Sequence, residues 1–302
     1  MKKNNLKSSI LFISIIIIID ITVGVVGNKY FKYISFGFYS NVNNSIKTEA
    51  EILILGSSRA MHHYNPEIIH KETGFSCYNG GTGGYGIFLD YAVLAEKIRQ
   101  NKIPKMVILD ISPHTLVISE NSYSKLEKLL PYYKQYPSFK EVITLNPNFS
   151  KLSLMSNLYI YNSTLYDFIK SDFNQEFKGN GYIPINDELN EQTFSHFYLK
   201  ENENFDENKR NYLIKIINVC KENNIKLIAA VSPNYKKFDL KNRIINELGE
   251  IFKEYESDFY DYSDFDEVYN KSNYFRDQLH MNSLGSNKFT NAIVNKLKPT
   301  NN

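Results

Sequence analysis

The sequence predicts an α/β protein built on a central parallel sheet with helices on both faces, a three-layer sandwich, preceded by one apolar helix. Two observations carry this expectation. From residue 51 onward, short aliphatic runs alternate with amphipathic stretches of helical period, the pattern of buried parallel strands joined by crossover helices. Before them lies one long apolar run, residues 9–27, SILFISIIIIIDITVGVVG, interrupted only by small or hydroxylic residues and Asp20.

Taken in order, residues 1–8 read as a short basic tail, with Lys2, Lys3 and Lys7. At ~1.5 Å per residue the run 9–27 spans roughly 28 Å, enough to cross a hydrocarbon core. Tyr30, Phe31 and Tyr33 follow it as an interfacial belt. A transmembrane anchor with the N-terminus inside and the large domain extracytoplasmic is expected, a cleaved signal peptide being the rival. Asp20 inside the span reads either as a contact with a partner membrane protein or as a group that stays protonated or reaches toward water. Residues 28–48 read as a polar, aromatic connector, and residues 49–298 as the folded domain.

Within that domain Glu51–Leu55 is the first strand. Asn65-Pro66 supplies an N-cap and first helical position for a helix to about Lys71. Phe75–Tyr78 is the second strand, followed by the glycine-rich NGGTGGYG. A helix over Leu89–Arg99 leads to the third strand, Lys105–Ile111. Helix 211–222, strand Lys226–Val231, helix 240–255, a short strand near 259–261 and helix 283–297 complete the pattern. Between about 114 and 205 the alternation breaks, and that segment reads as an inserted cap.

Composition narrows the function classes. The chain has 302 residues, 42% apolar and 23% charged, with 35 basic residues against 33 acidic ones and no basic cluster. A nucleic-acid partner is therefore not expected. Cys77 and Cys220 do not make a disulfide framework and read as small core residues. His62, His63 and His70 lack further ligands at a metal-binding spacing, so neither a metal nor another cofactor is expected. His114 and His196 read as surface residues of the loop or cap.

The reactive residue types gather at the carboxyl ends of the strands, where open parallel sheets bind ligands. Gly56-Ser57-Ser58-Arg59 follows the first strand, Asn79 and the glycines the second, Asp110-Ile-Ser-Pro-His114 the third, and Ser232-Pro-Asn234 the fourth; FRDQLHMNSLG follows the last. Ser58 reads either as a nucleophile or as a cap for the next helix. Asp277 precedes His280 by three residues, a spacing that lets a carboxylate hold the imidazole in the tautomer whose Nε2 accepts a proton. A glycine-rich loop offers backbone N–H groups to an oxyanion.

Gly-Ser-Ser after the first strand, N-x-G-x-x-G after the second and D-x-x-H-x-N-x-x-G before the last helix together resemble the SGNH (GDSL-type) hydrolase superfamily, over roughly residues 50–112 and 205–297. The resemblance implies a flavodoxin-like SGNH fold and a catalytic triad of Ser58, Asp277 and His280. It also implies oxyanion donors at the backbone of Ser58 and at Gly84. Ser57 replaces the usual aspartate, and DISPH stands where Gly-x-Asn-Asp is usual. Asn79, Ser112 and Asn234 are candidates for the missing oxyanion asparagine, Asn234 also for substrate binding. Arg59 is a candidate grip for an anionic substrate, against a solvent-facing arginine at a helix start.

With its anchor, the chain looks like membrane-tethered SGNH-like proteins that modify envelope polymers, several of which work beside a membrane-bound O-acyltransferase. The implied activity is an O-acyl, most readily acetyl, transferase or esterase acting on a cell-envelope or exported polysaccharide through an acyl-serine intermediate. The alternative is a non-catalytic binding or assembly protein of such a system. A glycosidase would have only Asp110 and Asp277 for its carboxylate pair.

Overall fold

The computed structural model describes residues 2–34, 37–162, 179–190, 204–235 and 241–297. One all-parallel sheet of five strands organises them: β1 (Ile52–Leu55), β2 (Cys77–Asn79), β3 (Met106–Asp110), β4 (Lys226–Val231) and β5 (Asp258–Asp261), in the order β2-β1-β3-β4-β5. This is one of the common doubly wound orders, and its switch point lies between β1 and β3. Register pairs Leu53 with Tyr78 on one side and Val107 on the other.

The inner strands β1, β3 and, beyond Lys226, β4 are buried on both faces, while the edge strand β5 is partly exposed. Leu53, Leu55, Val107, Leu109, Leu227 and Ala229 point into one core, and Ile52, Ile54, Met106, Ile108, Ile228 and Ala230 into the other. That period of two is the pleat itself, with each face covered by helices. On the first face lie α2 (Gly37–Lys47), α5 (Ile87–Arg99), α7 (Pro137–Ile143), α8 (Glu207–Glu222) and α9 (Lys241–Glu254). On the second lie α3 (Ser58–His63), α4 (Pro66–Thr73) and α10 (Ser283–Leu297). Helix starts follow local chemistry: the Asn65 side chain accepts from Glu67 N–H, and Asp206 accepts from the N–H groups of Asn208 and Lys209. Gly74 ends α4 at φ 78°.

The apolar N-terminal run forms α1 (Lys2–Tyr33), long and apolar enough to cross a membrane. Residues 28–48 are not a connector. The first helix continues to Tyr33, and α2 buries Tyr39, Val42 and Ile46 beside α5. Those three residues recur at helical spacing, so the segment joins the core. Phe31, Tyr39 and Tyr132 meet edge to face, with Phe31 at 5.1 Å from Tyr39 and 4.7 Å from Tyr132.

The 114–205 insertion is only partly a cap. Leu129, Tyr132, Phe139, Val142 and Ile143 are fully buried, and α7 packs on α5, so this stretch widens a helical layer. Its start, through α6 (Glu120–Ser124), and residues 183–187 reach the site at the strand ends. Residues 163–178 and 191–203 of the expected cap, His196 included, lie outside the described residues.

Candidate active site

β1 ends at Gly56, whose φ of 136° suits only glycine. A Cβ there would stand 2.6 Å from Asp110 O. The sharp turn starts α3 at once, so Ser58 is the first residue of the helix, at the switch-point end of the sheet. Gly56 N–H donates to Asp90 Oδ1 at 2.9 Å, fastening the turn to α5.

Ser58 Oγ lies 2.7 Å from His280 Nε2, and His280 Nδ1 lies 2.9 Å from both carboxylate oxygens of Asp277. A carboxylate accepts only, so Nδ1 carries the proton and Nε2 is left to accept from the serine. Asp277 Oδ1 also accepts from the N–H groups of Leu279 and His280, each at 2.9 Å. Burial pushes the Asp277 carboxyl up, but the hydrogen bond and charge of His280 and these two N–H groups outweigh it and hold the group below its usual range. Two segments 222 residues apart in sequence thus form one hydrogen-bonded chain.

The loop bearing His280 is fastened from beneath by a buried network. Met281 N–H donates to His63 Nε2 at 2.9 Å, which leaves His63 Nδ1–H to donate to Ser232 Oγ at 2.9 Å. Burial, with the nearby Arg59 charge, holds His63 well below the ordinary histidine range, in agreement with this neutral tautomer. Arg59 donates to Ser232 O and Oγ from the other side. At 1% exposure Arg59 is neither a surface residue nor a substrate grip; its guanidinium braces the β4 loop.

The glycine-rich loop is laced to the end of β1, with Gly80 N–H bonded to Ile54 O and Thr82 N–H to Gly56 O. Gly84 adopts φ 77° in the Thr82–Tyr85 turn and lines a cavity with Ser57 and Ser58. A Cβ on Gly83 would come within 3.9 Å of Ser58 Cβ, so the loop passes beside the serine. Asn79 does not face the site. Its amide donates to Ala60 O and Tyr64 O while its Oδ1 accepts from Gly81 N–H, which consumes it in holding the loop. Asn41 of α2 holds the same loop through Gly81 O at 2.8 Å. Ser112 and Asn234 are 1% and 2% exposed and line neither of the two cavities at the site, so neither is placed as an oxyanion or substrate donor. Asp110 is buried and accepts from Tyr64 OH at 2.8 Å.

Two cavities adjoin the glycine-rich loop, and the first of them is lined by Ser58. One, of about 500 Å3, is walled by Ser58, Gly84, His114, Lys125 and Lys209; the other, of about 640 Å3, by His62, Gly83, Lys128, Ile183 and Arg276. Tyr85 stands between them and lines both. His114, expected on the surface, is half-buried in the first wall, and desolvation together with Arg59 pulls its pKa down to about 3. His62 Nδ1 bonds Ile183 O at 2.7 Å, and its ring meets that of His280 edge to face at 5.8 Å. His70 Nδ1 bonds Phe75 O, so His62, His63 and His70 serve separate partners. Among the described residues no group of three or more His, Cys, Asp or Glu side chains could hold a metal ion. Cys220 is buried and Cys77 half-buried, and both are free thiols.

Sequence reasoning placed Ser58, Asp277, His280 and Gly84 at one site. It missed Asp90, His63, Ser232 and Asn41. The only signal for Asn41 was the buried stripe of α2, and the other three carry none, since their partners are distant in sequence. Compared with known proteins, the chain matches no family model and no curated protein.

Proposed function

We propose that this chain is a membrane-anchored, extracytoplasmic serine enzyme of SGNH type that transfers or hydrolyses an O-acyl group, acetyl foremost, on a cell-envelope or exported polysaccharide. The observation that carries the reading is the 2.7 Å contact between Ser58 Oγ and His280 Nε2, with Asp277 on the far nitrogen. In this scheme His280 takes the Ser58 proton as Oγ attacks the acyl carbonyl, and Asp277 stabilises the imidazolium that forms. The N–H of a residue opening a helix has no partner inside that helix, so Ser58 N–H is available to the oxyanion beside its own Oγ. Gly84 is the second proposed donor. The imidazolium returns its proton to the leaving oxygen, and a sugar hydroxyl or water then releases the acyl group by the reverse steps.

One cavity at Ser58 and a second beyond Tyr85, walled by His62 beside His280, support an acyl donor and an acceptor that occupy separate spaces. A membrane-bound O-acyltransferase is the partner this reading implies for the donor side. Hydrogen bonds from Ser156, Asn157 and Leu158 to Asp20 favour a retained anchor over a cleaved leader. The second reading, a non-catalytic binding or assembly protein, draws on the burial of Asn79, Ser112 and Asn234, which leaves the oxyanion to backbone donors alone.

Labelling of the full chain with a serine-directed fluorophosphonate separates the two. Wild type and Ser57→Ala are expected to label, Ser58→Ala to show none and His280→Ala to label far more slowly. A folded wild type that does not label, or a Ser58→Ala variant that labels normally, overturns the enzyme reading. Mass spectrometry of envelope polysaccharides with and without the gene then identifies the acyl group and polymer.

A further inference from the structure

The insertion carries a feature that the active site does not use. The segment Leu152–Tyr161 lies along α1 between Gly27 and Asp20, with Leu154, Ile160 and Tyr161 packed into the first core and Leu152 and Met155 turned outward. Tyr161 meets Gly27, where a Cβ would stand 2.8 Å from its ring, and Asn157 meets Gly24 at 2.6 Å by the same measure. Farther down, Asp20 accepts from Ser156 Oγ at 2.6 Å, Asn157 Nδ2 at 3.0 Å and Leu158 N–H at 2.9 Å. From Gly27 to Asp20 the descent is seven residues of helix, about 10 Å.

The length of the apolar run fixes where this tip lies if α1 spans a bilayer. A hydrocarbon core is about 30 Å thick and takes about 20 helical residues, the stretch 8–27 after Lys7. Were the membrane surface at Asp20, only residues 8–19 would remain, about 18 Å, far too short. The tip must then lie below the surface, at the depth of about 5–10 Å typical of interfacial segments.

Its chemistry fits that depth. Leu152 is 78% exposed and Met155 71%, with Leu158 and Tyr159 partly exposed beside them. Its backbone is largely satisfied within the protein, as an apolar medium requires. Ser153 N–H bonds Ser150 Oγ, Met155 N–H bonds Leu152 O, Ser156 N–H bonds Ser153 O, Tyr159 N–H bonds Ser156 Oγ and Ile160 N–H bonds Ser156 O. Lys134 donates to Met155 O and Asn157 Oδ1, each at 2.7 Å, so its ammonium is held by protein acceptors of the tip.

We propose that residues 152–159 form a second membrane-seated element, whose Leu152 and Met155 enter the lipid beside α1 and which Asp20 docks to the anchor. The occupant of this apolar surface is the bilayer, by continuity with the exposed aliphatic surface of α1. The catalytic domain is thereby held at a fixed height and rotation and does not swing on a single helix. This rests on reading α1 as a membrane span, and is independent of the acyl-transfer chemistry.

The chain contains no tryptophan, so single introduced tryptophans report without background. Full-length I16W, L152W, M155W and L284W are placed in nanodiscs of phosphatidylcholine, plain or brominated high on the acyl chains. I16W tests the anchor. L284W, 56% exposed on the opposite face of the sheet, reports water. L152W and M155W are expected to be quenched roughly twofold or more beyond L284W by the brominated lipid. Quenching of I16W alone overturns the seated tip while leaving the anchor intact. An unquenched but blue-shifted L152W assigns the tip to a protein partner and also overturns it. An unquenched I16W refutes the span, and the proposal with it.

Discussion

Replacing Asp90 with Asn tests how the turn under Ser58 is held. Asp90 is buried in α5 and accepts from Gly56 N–H at 2.9 Å. Burial pushes its carboxyl up to about 7; the Gly56 hydrogen bond opposes this and the charge of Asp110 adds to it. Between the ordinary value of 3.8 and about 7 the folded chain keeps a proton that the unfolded chain releases. Stability from this group is therefore fully present below pH 3.8, falls as pH rises through that window and is flat above it. At 1.36 kcal/mol per pH unit the loss is about 4 kcal/mol. Asparagine keeps the acceptor for Gly56 and cannot ionise. Other groups titrate equally in both proteins, so the difference between them isolates Asp90. For a domain of this size about 4 kcal/mol corresponds to a Tm shift of roughly 10 °C. Near-ultraviolet circular dichroism melts of the detergent-solubilised full chain, at pH 4 and pH 8, measure it. The D90N protein should gain about that much on wild type between the two pH values. A difference that stays constant with pH would refute the burial argument.

Three further outcomes are expected. Asp277→Asn keeps the shape of the site but loses the carboxylate that sets the His280 tautomer, so fluorophosphonate labelling should slow by ~10^3–10^4 while the melt is little changed. Arg59→Met removes a buried cation from Ser232, and should destabilise by about 3 kcal/mol or more, read by urea unfolding, with no selective loss of affinity for an acylated substrate. Gly56→Ala drives a Cβ to 2.6 Å from Asp110 O at a φ hostile to alanine. It should cost roughly 2–5 kcal/mol and abolish labelling together with the melt.

The strands and principal helices of the domain were legible because their signals are local. Aliphatic runs such as KLIAAV can only be buried strands between polar turns, and the run SILFISIIIIIDITVGVVG excludes an ordinary surface helix. Ser58, Asp277 and His280 were legible for the same reason, each lying just past a strand or before the last helix, where the sheet gathers reactive groups. The 28–48 segment was misread because, of the seven residues that α2 buries, only Tyr39, Val42 and Ile46 are apolar. Arg59 was misread because nothing local says that a cation has a buried partner.

By itself the sequence determined the layers, the apolar helix and which residues could meet at the carboxyl edge, since these follow from periodicity and strand order. Tertiary structure alone decided which polar groups were spent on scaffolding. Asp90 reaches Gly56 across 34 residues, Asn41 reaches Gly81 across 40, and His63 reaches Ser232 and Met281 across 169 and 218. Such pairings are set by close packing at low dielectric, where an unpaired buried donor is costly, and no pattern along the chain records which acceptor it finds.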